Sequence, residues 1–371
     1  MAGTKALLFV LYYFLLVACN ARELQRCEFD ALYQFGDSIS DTGNLIRENA
    51  SVVFARLPYG QTFFQKPTGR CSNGLLMIDF FAKSAGIPFL EPYLNRDGTF
   101  TQGVNFAVAG ATALPSDVLA KKGIVNPLTT SSLSRQLEWM SAHFNTTCSC
   151  PQECSKKLKK SLFMVGEIGG NDYNYPLFQA KTIKEVRALV PEVVQAIKDA
   201  VTRVVGYGAS RVVVPGNFPI GCLPSYLTVF QANNTFAYDK YHCLKDLNEF
   251  SMDHNMYLQQ AIEQLRAEHP NVIVVYADYY AAFIWLLDNA AQFRFDTNLV
   301  QKACCGVGGD YNYDQKRSCG LPNVPVCQNP DQYVSWDGVH LTQQAYKMMA
   351  TYLIDDISSK LQCDENPDSR G

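Results

Sequence analysis

Several features that would mark a common enzyme class are missing from this chain. No Gly-x-Ser-x-Gly occurs, so the elbow that presents the serine of α/β-hydrolases is not available. No Gly-x-x-x-x-Gly-Lys-Ser/Thr occurs, which removes a P-loop. The "GVGGD" at Gly306 lies among cysteines and not between a strand and a helix, so a dinucleotide fingerprint fails too. Histidine is scarce, with five residues in 371. Two-metal chemistry draws on several histidines and carboxylates together. Here His242 and His254 fall within a long amphipathic segment, His269 ends it, and His143 lies on a cysteine-flanked polar loop. All four read as surface or core residues, so neither a metal site nor a cofactor is expected. Charge of one sign is lacking as well. The formal balance is −3, or −4 without Lys5, which gives no electrostatic case for nucleic acid or an anionic membrane. No apolar run reaches the roughly 20 residues that span a bilayer.

The longest such run, Ala6 to Ala18, follows Lys5 and ends in Cys19-Asn20-Ala21. A positive residue, a short apolar stretch and a small-residue exit describe a secretory leader over 1–21. The mature chain then starts near Arg22 and has no integral membrane segment, and the expected location is the extracellular space (the apoplast, for a plant) or the vacuole. Of thirteen cysteines, Cys19 leaves with the leader, and twelve in an exported chain are expected to pair as disulfides. Cys148, Cys150 and Cys154 are expected to tie one loop, and Cys304, Cys305, Cys319 and Cys327 another. Zinc is the rival for Cys148-Ser149-Cys150, but no histidine stands beside that pair at ligand spacing. Three sequons, at Asn49, Asn145 and Asn233, predict glycosylated surface positions.

The remaining 22–371 shows no repeat, low-complexity tract or linker and reads as one domain, expected to be a monomer. Continuous apolar runs predict strands at Ala31–Phe35, Gly103–Ala109, Ser161–Ile168, Arg211–Gly216 and Asn271–Asp278. Helical spacing covers Thr182–Val205, Tyr241–Glu268 and Gln344–Leu361. Strands apolar on both faces, separated by helices, argue for an α/β fold with a parallel sheet covered on both sides.

In such sheets sites form at the carboxyl ends of strands, and polar clusters fall there. "GDS" follows the first strand, "GAT" the second and "GGND" the third, while "DGVH" precedes the last helix. Singly, each reads as a turn, which Gly, Asp, Asn and Ser commonly form. Together they supply one set of parts. Ser38, at an expected strand-to-helix turn, can present a hydroxyl. His340 can take its proton, and Asp337 can hold the imidazole in the right tautomer. The backbone N–H of Gly110 and the side-chain amide of Asn171 can face a developing oxyanion. Asp41, Thr42, Gly43 and Asn44 are read as shaping the segment after Ser38. A base that acts only when neutral predicts a rate that rises with pH as its imidazole loses a proton.

The stretches "FGDSISDTGN", "GVNFAVAGA", "GGNDYN" and "WDGVHLT" closely resemble the four sequence blocks of the plant GDSL-type esterase/lipase family, within the SGNH hydrolases. The resemblance runs over nearly the whole mature chain and includes "PYGQTFF", "GRCSNGLLMIDF", "VVPGNFPIGCLP" and "ACCGVGG". It implies a flavodoxin-like three-layer α/β/α sandwich around a mostly parallel five-stranded sheet. It also implies a serine hydrolase of carboxylic esters that works through an acyl-enzyme. No long unbroken apolar insertion suggests a lipase lid, so small metabolite esters, such as acetyl or phenolic ones, are the expected substrates. By resemblance the nucleophile is Ser38, the base His340 and its acid partner Asp337. The oxyanion donors are Gly110, Asn171 and the amide of Ser38. Ile39 departs from the family's leucine, an apolar exchange without chemical consequence. Acyl transfer to an alcohol or sugar acid, and lipase action on longer chains, are alternatives within the same chemistry. A binding protein with a dead site would lack Ser38, Asp337 or His340.

Overall fold

The computed structural model describes residues 23–363; the expected leader at 1–21 lies outside the described residues. Five strands form one sheet in the order β2-β1-β3-β4-β5, with every pairing parallel. They are β1 (Ala31–Phe35), β2 (Gly103–Asn105), β3 (Ser161–Val165), β4 (Arg211–Pro215) and β5 (Ile273–Ala277). Their Val, Leu and Phe runs are buried on both faces, as a sheet covered twice requires. Register pairs Ala31 with Ser161 and Phe35 with Val165, so β1 and β3 end level. The strand order reverses direction between these two, and that switch point is where a crevice opens in doubly wound sheets.

One helical layer consists of Leu133–Thr147, Val190–Gly206 and Lys245–Glu268; the other holds Met77–Ala85, Tyr279–Asp288 and Gln343–Lys360. The architecture is the expected α/β sandwich. Among the described residues no helix is long and apolar enough to cross a membrane.

Several boundaries differ from the sequence reading. β2 stops at Asn105, because the Asn105 Oδ1 accepts the N–H of Ala107 and turns the chain out of the strand. The helix expected over 182–205 is two, Ile183–Arg187 and Val190–Gly206. Pro191 has no N–H to give to a continuous helix but fits the first turn of a new one. The helix expected from Tyr241 begins at Lys245, since Asp239 Oδ1 holds the N–H groups of Tyr241 and Cys243 in a turn. His242 therefore sits outside the helix. His143 is not on a loop but buried within Leu133–Thr147, where burial, with Lys157 nearby, pushes its imidazole down to about 4.

Disulfides join Cys27 to Cys363, Cys148 to Cys154, Cys222 to Cys243, Cys304 to Cys327 and Cys305 to Cys319. The two expected clusters are linked internally, but pairing of all twelve does not hold. Cys71 is a buried thiol and Cys150 an exposed one.

The long segment between β1 and β2 is anchored by one buried ion pair. Arg70 Nε and Nη2 lie 2.8 and 2.7 Å from the two Asp79 oxygens, and the guanidinium stacks 4.6 Å from the Phe64 ring. Asp79 also accepts the Leu76 N–H and so caps helix Met77–Ala85. Removing only the cation strands a buried carboxylate. Arg70→Met should therefore lower the unfolding free energy by about 3–5 kcal/mol, read as a loss in a urea titration at neutral pH.

Candidate active site

All four polar clusters reach the carboxyl edge of the sheet. β1 ends at Phe35, and Gly36 follows at φ +147° with its Cβ position only 2.4 Å from the Gly166 carbonyl, so only glycine fits between β1 and β3 there. The Gln136 side chain clasps the same peptide, accepting from Gly36 N–H at 2.9 Å and donating to its carbonyl at 2.8 Å. Asp37 N–H then donates to the Glu167 carbonyl of the β3 loop, and the Asp37 carbonyl receives the N–H groups of Ser40 and Asp41. Ser38 is thus held in a tight turn. The helix that follows the expected strand-to-helix turn is short, the four residues Leu45–Glu48.

Asp41, Gly43 and Asn44 do shape that segment. The buried Asp41 carboxylate accepts four backbone N–H groups, from Gly43, Asn44, Leu45 and Ala109. The last of these ties the Ser38 turn to the loop after β2. Asn44 adds side-chain bonds to the carbonyls of Asn105 and Ala107.

That loop carries Gly110 at φ +84°, its carbonyl fixed by Tyr175 Oη at 2.8 Å and Asn126 Nδ2 at 2.9 Å. Asn171 lies in the first turn of helix Gly170–Phe178, after β3. Its Nδ2 donates to Ala111 O at 2.9 Å and reaches Asp37 Oδ2 at 3.4 Å, while Asn174 Nδ2 approaches its Oδ1 at 3.4 Å. One amide hydrogen is firmly engaged and the other only weakly. Ser38 and Asn171 line one cavity of about 60 Å³, with Ile39, Ile168, Phe218, Leu223, Val339 and Leu341 among its apolar walls. Gly110 and His340 do not line it themselves. Gly110 adjoins Ala111, to which Asn171 is bonded, and His340 lies between two residues that do line the cavity.

His340 and Asp337 meet directly, Nδ1 to Oδ2, at 2.7 Å, both buried. Asp337 Oδ1 accepts the N–H groups of Val339 and His340 at 3.0 and 2.8 Å. Burial alone would push this carboxyl up, but the His340 charge and these hydrogen bonds outweigh it and hold it below the ordinary carboxylate range. His340 Nε2 is buried without a hydrogen-bond partner among the described residues. That leaves a nitrogen free to accept a proton. Phe54 stands edge-on to the imidazole at 5.8 Å between ring centres.

Sequence reasoning missed Tyr59, whose hydroxyl donates to Asp337 Oδ2 at 2.8 Å. The only signal was its place in the "PYGQTFF" stretch. It also missed Glu167 and Tyr279, which are hydrogen-bonded to each other behind Ser38. Among the described residues no three His, Cys, Asp or Glu side chains converge as metal ligands would. Asn49, Asn145 and Asn233 are all exposed.

Against known proteins, the model of the GDSL-like Lipase/Acylhydrolase family matches residues 32–353. The chain belongs to that family. Acetylajmalan esterase 2 of Rauvolfia serpentina is 46% identical over 97% of this chain and 99% of its own length. A GDSL esterase/lipase of Arabidopsis thaliana is 45% identical over 98% and 99%. A phospholipase A1 from Streptomyces albidoflavus aligns in structure over 88% of this chain and 99% of its own, at 13% identity and a TM-score of 0.39. With the family match and the Rauvolfia and Arabidopsis relatives spanning its length, the protein is a carboxylic ester hydrolase.

Glu167 gives a measurable consequence of burying acids beside the Ser38 turn. Burial raises its carboxyl to about 7 against the hydrogen bond of Tyr279. An acid whose pKa is higher folded than unfolded contributes stability at low pH and loses it as pH climbs towards the folded value. The difference between Glu167→Gln and wild type in urea unfolding should therefore move in favour of the variant by up to about 3 kcal/mol between pH 4 and pH 8. A constant difference would show that Glu167 keeps an ordinary carboxyl.

Proposed function

We propose that this chain is a secreted serine esterase that cleaves short-chain acyl esters of small plant metabolites through Ser38, His340 and Asp337. The observation that carries the reading is the Asp337–His340 pair. The Nε2 of that imidazole is left without a hydrogen-bond partner among the described residues, on a loop whose flanking Val339 and Leu341 border the same cavity as Ser38 and Asn171. In this reading His340 Nε2 takes the Ser38 proton as Oγ attacks the ester carbonyl, and the charged imidazole is stabilised by Asp337. The oxyanion accepts from the N–H of Ser38 and Gly110 and from Asn171 Nδ2. Collapse expels the alcohol with the proton from His340. Water, deprotonated by the same nitrogen, then frees the acid and regenerates Ser38.

A small cavity with mainly apolar walls beside Ser38 supports a short acyl group. The Rauvolfia relatives, named as acetylajmalan esterases at 46% identity, support an acetyl ester in particular. Five disulfides and three exposed sequon asparagines support passage through an oxidising, glycosylating compartment.

Ser38→Ala should abolish both turnover of p-nitrophenyl acetate and labelling by a fluorophosphonate probe; retained turnover would remove Ser38 from the reaction. Asn171→Ala should lower kcat about 100- to 1,000-fold if its amide serves the oxyanion, and an unchanged kcat would end that role. Across p-nitrophenyl esters, acetate should be cleaved with higher kcat/KM than octanoate, and the reverse order would favour lipase action.

A further inference from the structure

Asp337 Oδ2 has two donors and not one. His340 Nδ1 lies 2.7 Å from it and Tyr59 Oη 2.8 Å from it. Tyr59 comes from the distant segment between β1 and β2, 278 residues earlier, and is only 2% exposed. Its ring is clamped edge-on by Phe54 at 5.0 Å and Trp336 at 6.2 Å. Gly320 closes in behind it, where a Cβ would stand 3.5 Å from Tyr59 Cε2, and the neighbouring Cys319 is tied to Cys305. A phenol so enclosed aims its hydroxyl in one direction.

We propose that Tyr59 is a positioning residue of this hydrolase: its hydroxyl fixes Asp337 Oδ2 and sets how strongly that carboxylate holds the protonated His340 imidazole. The proposal rests on the Ser38–His340–Asp337 reading above. A carboxylate oxygen that shares its charge with a phenol has less to offer the imidazolium on the same atom. Removing the phenol hydroxyl concentrates that charge on the imidazolium, so the base stays protonated to higher pH. It also frees the carboxylate to turn, which loosens the ring it aims.

The other titratable groups facing Asp337 are Cys71, Tyr313 and Tyr346. Burial pushes all three up, Tyr313 to about 12, so they stay neutral over the range in which imidazole titrates. Burial and the adjacent Asp337 likewise keep the Tyr59 hydroxyl protonated. Glu167 and Asp172, which burial raises to about 7, titrate in that range as well, but both are retained in Tyr59→Phe, so the displacement of its acidic limb from that of wild type is the report on His340.

The experiment compares pH profiles of kcat/KM on p-nitrophenyl acetate for wild type, Ser38→Ala, Tyr59→Phe, Asp337→Asn and the Tyr59→Phe/Asp337→Asn double variant of the mature chain. Tyr59→Phe keeps the ring and its packing. Its acidic limb should move up by about one pH unit, a loss of about tenfold one unit below the wild-type midpoint, with KM little changed. In the Asp337→Asn background the same change should cost less than about twofold, because the two residues act through one bond. A Tyr59→Phe profile superimposable on wild type, a loss equal at every pH, or a full additional loss in the Asp337→Asn background would each overturn the proposal. Turnover by Ser38→Ala would instead bring down the reading on which it rests.

Discussion

A single buried carboxylate, that of Asp41, ties the two loops on which the site depends. It lies inside the protein with no cation hydrogen-bonded to it among the described residues, and takes four backbone N–H groups in place of one. Three come from the segment after Ser38, and the fourth comes from Ala109, beside Gly110. A charge so deep would be expensive if any lone pair were left open. The chain is consequently forced into the one path that satisfies it, and that path sets Ser38 and Gly110 relative to each other before any substrate arrives. Burial still raises the Asp41 carboxyl, against the pull of those four bonds.

The same device recurs around the sheet edge. Asp172 accepts from Ala113 and Leu114, and Asp337 from Val339 and His340. Each joins loops or closes one, and each answers burial with peptide dipoles. The contrast is Arg70–Asp79, where an ion pair does the anchoring. Peptide N–H groups are fixed by the backbone and need no rearrangement as charge moves, which suits a reaction that makes and loses an oxyanion. A guanidinium beside Ser38 would hold that charge too, but it would also compete for His340 and Asp337.

Much of this was legible in the residues because two strong signals coincide. Strands buried on both faces have to be continuous runs of Leu, Val and Phe, and β1, β3, β4 and β5 are visible as such. Glycine and asparagine clusters behind those runs mark their carboxyl ends. What escaped detection was set by contacts without sequence periodicity. β2 ends because the Asn105 side chain captures its own neighbour's N–H, and Pro191 divides a helix whose apolar spacing continues straight through it. His143 reads as polar loop because cysteines follow it, yet its ring lies against Tyr33, Phe100, Phe106 and Phe144. Tyr59 was beyond reach for a different reason. A partnership across 278 positions leaves no local trace, and one tyrosine among twenty has no pattern to betray it.

In the proposed mechanism the base reaches the site differently from the nucleophile, and this explains where the cysteines cluster. Ser38 and Asn171 follow strands of a parallel sheet, whose ladders hold them in place. Residues 335–341 follow no strand of that sheet. They close on themselves, with Trp336 N–H donating to the His340 carbonyl at 2.8 Å and Gly338 N–H to Ser335 Oγ at 3.0 Å. Their outward side is laced to the chain at 304–305, where Cys304 N–H meets the Ser335 carbonyl and Cys305 N–H the Trp336 carbonyl. Both of these cysteines are disulfide-bonded, to Cys327 and Cys319. A loop without a strand behind it would sample many positions for its imidazole, and a displacement of an ångström at a proton-transferring nitrogen is costly in rate. Two cross-links beneath the loop take away that freedom. The covalent staples thus stand behind the His340 loop as the β1–β3 ladder stands behind Ser38.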